Sequence, residues 1–264
     1  MIHKAKKSLG QNFLKSQPAL HMMIEAGEVT RKDTIVEIGP GKGALTEKLL
    51  AQGCTVIAIE KDTALVELLQ EKFAHEIEIK KLVLIEDDVL NFNPLAQGLP
   101  SPYKIIANIP YNITGAILKK FLSEEFQPER MILLVQKEVA LRIVARDNKE
   151  SILSLSVKAY GTPKYMMKVP KRFFSPAPKV DSAIIAITNI SRHNFKTKEN
   201  EEAFFKIIRA GFAHKRKVVC KNLEEVIPEE TIKKAFETLS IQPKARAEDI
   251  SLFQWLKFMY FIEK

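Results

Sequence analysis

The segment Val36-Glu37-Ile38-Gly39-Pro40-Gly41-Lys42-Gly43 holds the first residues whose types and spacing could do chemistry. Glycine at three alternate positions lets the backbone turn sharply and lets a ligand approach it closely. Glu60, 21 residues after Gly39, can hold a ribose diol from the end of a second strand. Gly39-x-Gly41-x-x-Ala44 also fits a dinucleotide fingerprint loosely. Two features favour a different ligand. Glu37 would sit badly beside a pyrophosphate yet could answer an ammonium or a sulfonium, and Gly43 completes the spacing Glu-x-Gly-x-Gly-x-Gly, which suits S-adenosylmethionine. Asp88 is placed to accept from an adenine amine; taken by itself, without the donor loop, a solvated loop acid is the better reading.

Asn108-Ile109-Pro110-Tyr111 is the second constellation. The exocyclic N6 of adenine is a poor nucleophile because its lone pair is delocalised into the ring. The Asn108 amide oxygen and the Ile109 carbonyl could accept both N6 hydrogens and hold the nitrogen in a more nucleophilic geometry. Tyr111 offers a face for base stacking, worth about 1–3 kcal/mol per base. Catalysis of this kind is mostly positioning. A plain proline turn is the alternative reading of the tetrapeptide, and a methyl-donor loop upstream weakens it. Phe174-Ser175-Pro176-Ala177-Pro178-Lys179-Val180-Asp181-Ser182 is a third candidate. Its two prolines stiffen the loop. That loop either turns Phe174 toward a target base or simply feeds the following strand.

The elements that must carry these residues are legible from patterning. Thr34–Ile38, Thr55–Ile59, Leu82–Ile85, Lys104–Ala107 and Met131–Val135 are short apolar, β-branched runs and read as strands. Helical spacing occupies 43–52, 62–73 and about 114–122 between them, and Ser16 with Pro18 opens a helix ending near Gly27. This alternation predicts a doubly wound, Rossmann-like α/β sheet. Glu138–Val144 and Leu153–Tyr160 read as helices, and Tyr165–Val169 and Ala183–Thr188 as antiparallel strands added to the sheet edge. Residues 190–200 form a polar linker. The remainder carries only helical signals, at Phe204–Phe212, Glu230–Leu239 and Leu252–Ile262. The predicted organisation is a basic arm over 1–15, an α/β domain over 16–189 and a small helical domain over 201–264.

Composition narrows the partners. The 264 residues carry 41 Lys and Arg against 32 Asp and Glu, a net charge of +9, with 46% apolar residues. That apolar content is ample for a core and excludes a disordered chain. The excess charge is concentrated: +4 in residues 1–15, +1 in 16–188 and +4 in 189–264. Lys164–Lys179 and Ala203–Leu223 contain no acid at all. A polyanion is the fitting partner, since each phosphate neutralised releases counterions; a solvated basic face is the bland alternative. Lys4, Lys6, Lys7, Lys171, Arg172, Lys215, Arg216, Lys217 and Lys221 are the candidate RNA contacts. No apolar run approaches a membrane span, the basic N-terminus lacks a signal-peptide h-region, and the five His show no metal-ligand spacing. The two cysteines, Cys54 and Cys220, form no disulfide framework. A cytoplasmic protein without a metal is expected.

Taken in order, these motifs resemble the ribosomal RNA adenine N6-dimethyltransferases, and among them the bacterial small-subunit (16S), kasugamycin-resistance branch. The resemblance spans nearly the whole chain, through Gln11-Asn12-Phe13-Leu14, Val36–Thr46, Glu60, Asp88, Asn108–Tyr111, Gln136–Ala140, Phe174–Ser182 and Arg246-Ala247-Glu248. It implies a class I S-adenosylmethionine-dependent methyltransferase fold and dimethylation of two adjacent adenosines near the 3′ end of 16S rRNA, within small-subunit biogenesis. It implies S-adenosylmethionine contacts from Asn12, Leu14, Glu37, Gly39, Gly41, Gly43, Glu60, Asp88 and Asn108. Catalytic roles fall to Asn108, Ile109, Pro110, Tyr111 and Phe174. A monomer with small-subunit rRNA as partner is expected. Asp87 stands where the family commonly has glycine, and Lys215-Arg216-Lys217 replaces a usual Arg-Arg-Lys. The competing readings are an antibiotic-resistance methylase of 23S rRNA and a non-catalytic ribosome-assembly factor. The Gln136–Ala140 and Arg246-Ala247-Glu248 segments weigh against the first, and the intact donor loop against the second.

Overall fold

Of the five parallel strands, the four inner ones are almost wholly buried, while the edge strand Leu82–Glu86 buries chiefly Leu82. The computed structural model describes residue 6 and residues 9–261; Lys4 and Lys7 lie outside the described residues. Two compact units divide the chain, one made of residues 1–140 and 162–190 and the other of 141–161 and 191–264.

In the first unit a seven-stranded sheet is formed by β2 (Thr34–Ile38), β3 (Thr55–Glu60), β4 (Leu82–Glu86), β5 (Lys104–Asn108), β6 (Arg130–Gln136), β7 (Thr162–Val169) and β9 (Ser182–Thr188). Their order is β4-β3-β2-β5-β6-β9-β7. β2 to β6 run parallel, while β9 is antiparallel to β6 and to β7. Strand succession proceeds outward from β2 through β3 to β4, then reverses by crossing to β5. The carboxyl ends of β2 and β5 therefore flank a topological switch point, where open α/β sheets bind ligands. β2 and β5 pair at Ile35↔Lys104 and Val36↔Ile105, in their amino-terminal halves, and run on from there to Ile38 and Asn108.

Helices α1 (Gln17–Ala26), α2 (Ala44–Leu50), α3 (Thr63–Lys72), α4 (Ala74–Glu78) and α5 (Thr114–Ser123) accompany this sheet. α1 starts as the sequence suggests: Ser16 caps it by accepting from Ala19 N, with proline in the first turn. Its Leu20, Met23 and Ile24 join Ile35, Leu49, Ile106, Ile132 and Ile184 in the core. α3 is capped by Asp62, which accepts from Ala64 N.

A second, two-residue ribbon pairs β1 (Phe13–Leu14) antiparallel with β8 (Phe174–Ser175), in the register Phe13↔Ser175 and Leu14↔Phe174. No pattern in the sequence announces it, because two-residue strands have no period. α6 (Lys137–Val144) follows β6.

The second unit is helical, with α7 (Ile152–Lys158), α8 (Lys198–Gly211), α9 (Val219–Leu223), α10 (Glu229–Thr238) and α11 (Leu252–Met259). Phe204, Ile208, Leu223, Trp255 and Phe258 are fully buried in it. Residues 141–161, α7 included, group with this tail. Long-range polar bonds account for that: Tyr160 donates to Glu201, which also pairs with Arg192, and Lys149 pairs with Asp249. α8 begins at Lys198, so the polar stretch before it is shorter than 190–200. Lys215, Arg216 and Lys217 are exposed in the α8–α9 connection, and Lys221 pairs with Glu224 at 2.8 Å.

Gly43 is where packing fixes residue type in the first unit. Its φ is +76°, and a Cβ there would lie 2.5 Å from Phe73 Cε2 and 2.9 Å from Leu69 Cδ2. Gly43→Ala should therefore destabilise the protein by about 1–3 kcal/mol, read as a lowered urea midpoint. An unchanged midpoint would show that the Phe73 ring yields freely.

Candidate functional site

A cavity of about 460 Å³ opens at the switch point. Its lining joins the glycine turn after β2 (Gly39, Pro40, Gly41, Lys42), the end of β3 (Glu60, Lys61), the turn after β4 (Asp87, Asp88, Val89) and Asn108–Ile113 after β5. The segment Leu9–Lys15 and Ser175 close the remaining side. Asn12, Leu14, Glu37, Gly39, Gly41, Glu60, Asp88, Asn108, Ile109, Pro110 and Tyr111 thus share one lining. Two expected residues do not. Gly43 serves the packing of α2 against Phe73 and Leu69. Phe174 is 4% exposed and belongs to the core cluster, while its neighbour Ser175 reaches the cavity.

The glycine turn is shaped by its neighbours. Gly41 has φ +59°, and a Cβ there would meet Phe13 Cδ1 at 2.9 Å. Phe13 thus lies over the turn, with Lys42 Nζ 5.1 Å from its ring centre. Glu37 is an acid inside a central buried strand, 1% exposed, and such a group demands a partner. Thr46 supplies one, donating Oγ1–H to Glu37 Oε2 at 2.7 Å. Burial pushes the Glu37 carboxyl up to about 8, with the nearby Glu60 charge adding to the rise and the Thr46 bond opposing it. Glu37 is therefore mostly neutral at pH 7, and a cation brought beside it would favour the ionised form.

Glu60 is also lifted by burial, against three backbone donors: Gly41 N at 3.2 Å, Lys61 N at 2.9 Å and Asp62 N at 3.0 Å. Asp88 moves the other way. Lys61 Nζ donates to its Oδ2 at 2.8 Å and Leu90 N to its Oδ1 at 2.9 Å, holding its carboxyl below the usual range. Asp87, the departure from the family pattern, accepts Asp88 N–H on its own carboxylate at 2.7 Å and so stabilises the turn.

Across the cavity, Asn108 Nδ2 donates to the Asn12 carbonyl at 3.1 Å. An amide with its NH₂ engaged there is oriented, and its Oδ1 is left as an acceptor. Tyr111 and Ser182 share a 2.6 Å hydroxyl bond, and Ser182 is fully buried, which fixes the aromatic ring. Burial raises the Tyr111 phenol, keeping it neutral. The N-terminal segment is tied down at its other end, since Lys6 Nζ and Gln11 Nε2 donate to the buried Asp62 at 2.6 and 2.8 Å. Lys6, expected at RNA, is instead paired with that carboxylate. Thr46, Gln11, Asp62 and Ser182 are the residues that sequence reasoning missed as supports. Only Thr46 had a signal, because an acid in a buried strand implies a donor nearby.

A cleft holding a buried acid beside a glycine turn, and an oriented amide across the switch point, suits a donor that is cationic at one end and a nucleoside at the other. The fold and site together define a Rossmann-like S-adenosylmethionine-dependent methyltransferase. The model of the ribosomal RNA adenine dimethylase family matches residues 2–264, and the chain belongs to that family. The chain is 41% identical over 257 residues to ribosomal RNA small subunit methyltransferase A of Dehalococcoides mccartyi strain CBDB1, covering 96% of this chain and 87% of the relative. It is 36% identical to the protein of the same name from Fusobacterium nucleatum, over 100% of this chain and 99% of the relative. Two solved structures share the fold at 24% identity. The 23S rRNA methyltransferase ErmE matches with a TM-score of 0.78, over 96% of this chain and all of that one. A dimethyladenosine transferase from Plasmodium falciparum matches with 0.79, over 93% and 95%.

The Glu37 environment has a measurable consequence. Its folded pKa lies above the ordinary 4.5, so between 4.5 and about 8 the folded state holds a proton that the unfolded state has lost. Stability from this group is complete below 4.5 and declines as pH rises toward 8. Compared with Glu37→Gln, the ligand-free wild type should lose up to about 1.4 kcal/mol per pH unit across that window. Denaturant unfolding of both proteins at several pH values checks this; parallel curves would refute the raised carboxyl.

Proposed function

We propose that the chain transfers methyl groups from S-adenosylmethionine to N6 of two adjacent adenosines near the 3′ end of 16S rRNA, yielding N6,N6-dimethyladenosine during small-subunit biogenesis. The observation that carries this reading is the Asn12–Asn108 bond, which aims an amide acceptor across a cavity whose other wall is the glycine turn. The names of the curated relatives, ribosomal RNA small subunit methyltransferase A, favour the small subunit over 23S rRNA. The protein is proposed to act as a cytoplasmic monomer on the subunit or its precursor.

The lining residues suit the donor. Glu37 answers a cationic amino group or sulfonium, Glu60 a ribose diol and Asp88 an adenine amine, while Asn12, Leu14, Gly39 and Gly41 shape the walls. S-adenosylmethionine, when bound, supplies an electrophilic methyl group. Asn108 Oδ1 and the Ile109 carbonyl accept the two N6 hydrogens of a splayed adenosine, and Pro110 fixes the turn between them and Tyr111. The Tyr111 ring, held by Ser182, stacks on the base. No general base is required, because the nitrogen becomes strongly acidic once methylated. Unpaired bases are the form such a site can reach. Phe174 supports the Leu14 ribbon from the core. Lys171 and Arg172 in the first unit, and Lys215, Arg216, Lys217 and Lys221 in the second, supply cations for phosphate contact.

Incubation with labelled methyl donor and unmethylated small subunits should label two neighbouring adenosines of 16S rRNA. Label confined to 23S rRNA, or none, overturns the reading. Asn108→Ala should slow transfer about 100-fold or more, on the scale of losing one transition-state hydrogen bond, while subunits are still retained. An unchanged rate would remove the amide from the mechanism.

A further inference from the structure

The β1–β8 ribbon joins two stretches of chain that lack acids. Residues 1–24 contain no Asp or Glu, and neither do residues 164–180. Lys15 follows β1 directly, and its N–H donates to the Phe173 carbonyl at 2.8 Å, which sets it beside Lys171 and Arg172. The Arg172 guanidinium packs 5.2 Å from the centre of the Phe173 ring. Asp181, the first acid after the ribbon, is already engaged: it accepts from Lys171 N at 3.0 Å and pairs with Lys168 at 2.9 Å.

Three lysines line the cavity, and they differ in what holds them. Lys61 is paired with Asp88 and Lys42 lies over Phe13. Lys15 is exposed, carries no ion pair among the described residues, and lies on the side closed by Ser175. The lining acids Glu37, Glu60, Asp87 and Asp88 belong to the carboxyl-end portions of β2 and β3 and to the turn after β4. The cation on the ribbon is thus available to a ligand's anionic group. A nucleotide reaching Asn108 and Tyr111 from a single strand must bring a phosphodiester with it.

We propose that Lys15 is a substrate-positioning residue that binds the RNA phosphodiester next to the target adenosine, with Lys171 and Arg172 continuing the contact along the strand. This rests on the reading of the site as an RNA adenosine methyltransferase. A phosphate gripped at the cavity mouth fixes the register of the base against the Asn108 amide, as backbone contacts do generally.

Full-length wild type, Lys15→Gln, Lys15→Arg and, as a distant exposed control, Lys32→Gln are compared on unmethylated small subunits. Lys15→Gln should raise KM for subunits fivefold or more and flatten the log–log salt dependence of binding by about 0.7, the value of one single-strand phosphate contact. Lys15→Arg should stay within twofold of wild type, and the S-adenosylmethionine Kd should be unchanged in all variants. If Lys15→Gln matches Lys32→Gln in KM and salt slope, the proposal falls while the methyltransferase reading stands. If the S-adenosylmethionine Kd weakens by the same factor as KM, Lys15 belongs to the donor site and the proposal also falls. A wild type that methylates no RNA overturns the reading on which it rests.

Discussion

The hydrogen bond from Asn108 Nδ2 to the Asn12 carbonyl is the interaction on which the arrangement of the cavity depends. It spans 96 residues of sequence and joins the end of β5 to a segment that precedes the sheet entirely. A single neutral hydrogen bond contributes only about 0.5–1.5 kcal/mol, too little to order that segment alone. The segment is therefore held twice more. Lys6 and Gln11 anchor it to Asp62, which also caps α3, and Phe13–Leu14 anchor it to β8. Asp62 follows Glu60 by two residues, so the support of the amide and the Glu60 carboxylate share one turn. A change at Asp62 would disturb a helix cap, the N-terminal segment and, through Asn12, the amide.

The electrostatics of the cavity follow from where its acids sit. Glu37 is in the middle of a buried parallel sheet, where an isolated ionised carboxylate is costly. Its proton and the Thr46 bond make that burial tolerable without a ligand. In the proposed function a cationic donor beside Glu37 does the same job by favouring its ionised form. Asp88 needs no such device because Lys61 and a backbone N–H already stabilise its charge. Two acids of one cavity thus differ in state because one is buried with a hydroxyl and the other is partly exposed beside an ammonium.

Much of this was legible in the sequence, and the omissions have physical causes. Thr34–Ile38 matches its strand end for end, since a short β-branched run stopped by glycine has few other conformations. Asn108, Tyr111, Glu60 and the Gly39–Gly41 turn converge because the carboxyl ends of parallel strands meet at one edge by topology. The β1–β8 ribbon was invisible because two-residue strands have no period and exist only through each other. Phe174 shows the cost: Leu14 and Phe174 are partners that both turn to the core, and no local rule says which face of so short a strand looks inward. The same limit hid the grouping of residues 141–161 with the tail, which depends on Tyr160, Glu201 and Arg192 meeting in space.

Charge and chemistry are also divided between different residues within the first unit. The cavity lining at the glycine turn and the ends of β3 and β4 carries acids and two engaged lysines, Lys42 over Phe13 and Lys61 with Asp88. Lys15, Lys171 and Arg172, which have no carboxylate partner among the described residues, lie at the acid-free ribbon and the turn beside it. In the proposed function a polyanion is drawn to that turn rather than to the β3–β4 end, where Glu60, Asp87 and Asp88 lie. Long-range attraction of this kind raises encounter rates but cannot choose a base, because every nucleotide carries the same phosphate. In the proposed function choice comes from the short-range geometry of Asn108, Ile109 and Tyr111, which only a nucleotide already held in register can probe. Placing Lys15, the proposed phosphate contact, one residue beyond β1, on the segment that also orients Asn108, links the two steps of the proposed function: the chain that would grip the backbone is the chain that aims the amide.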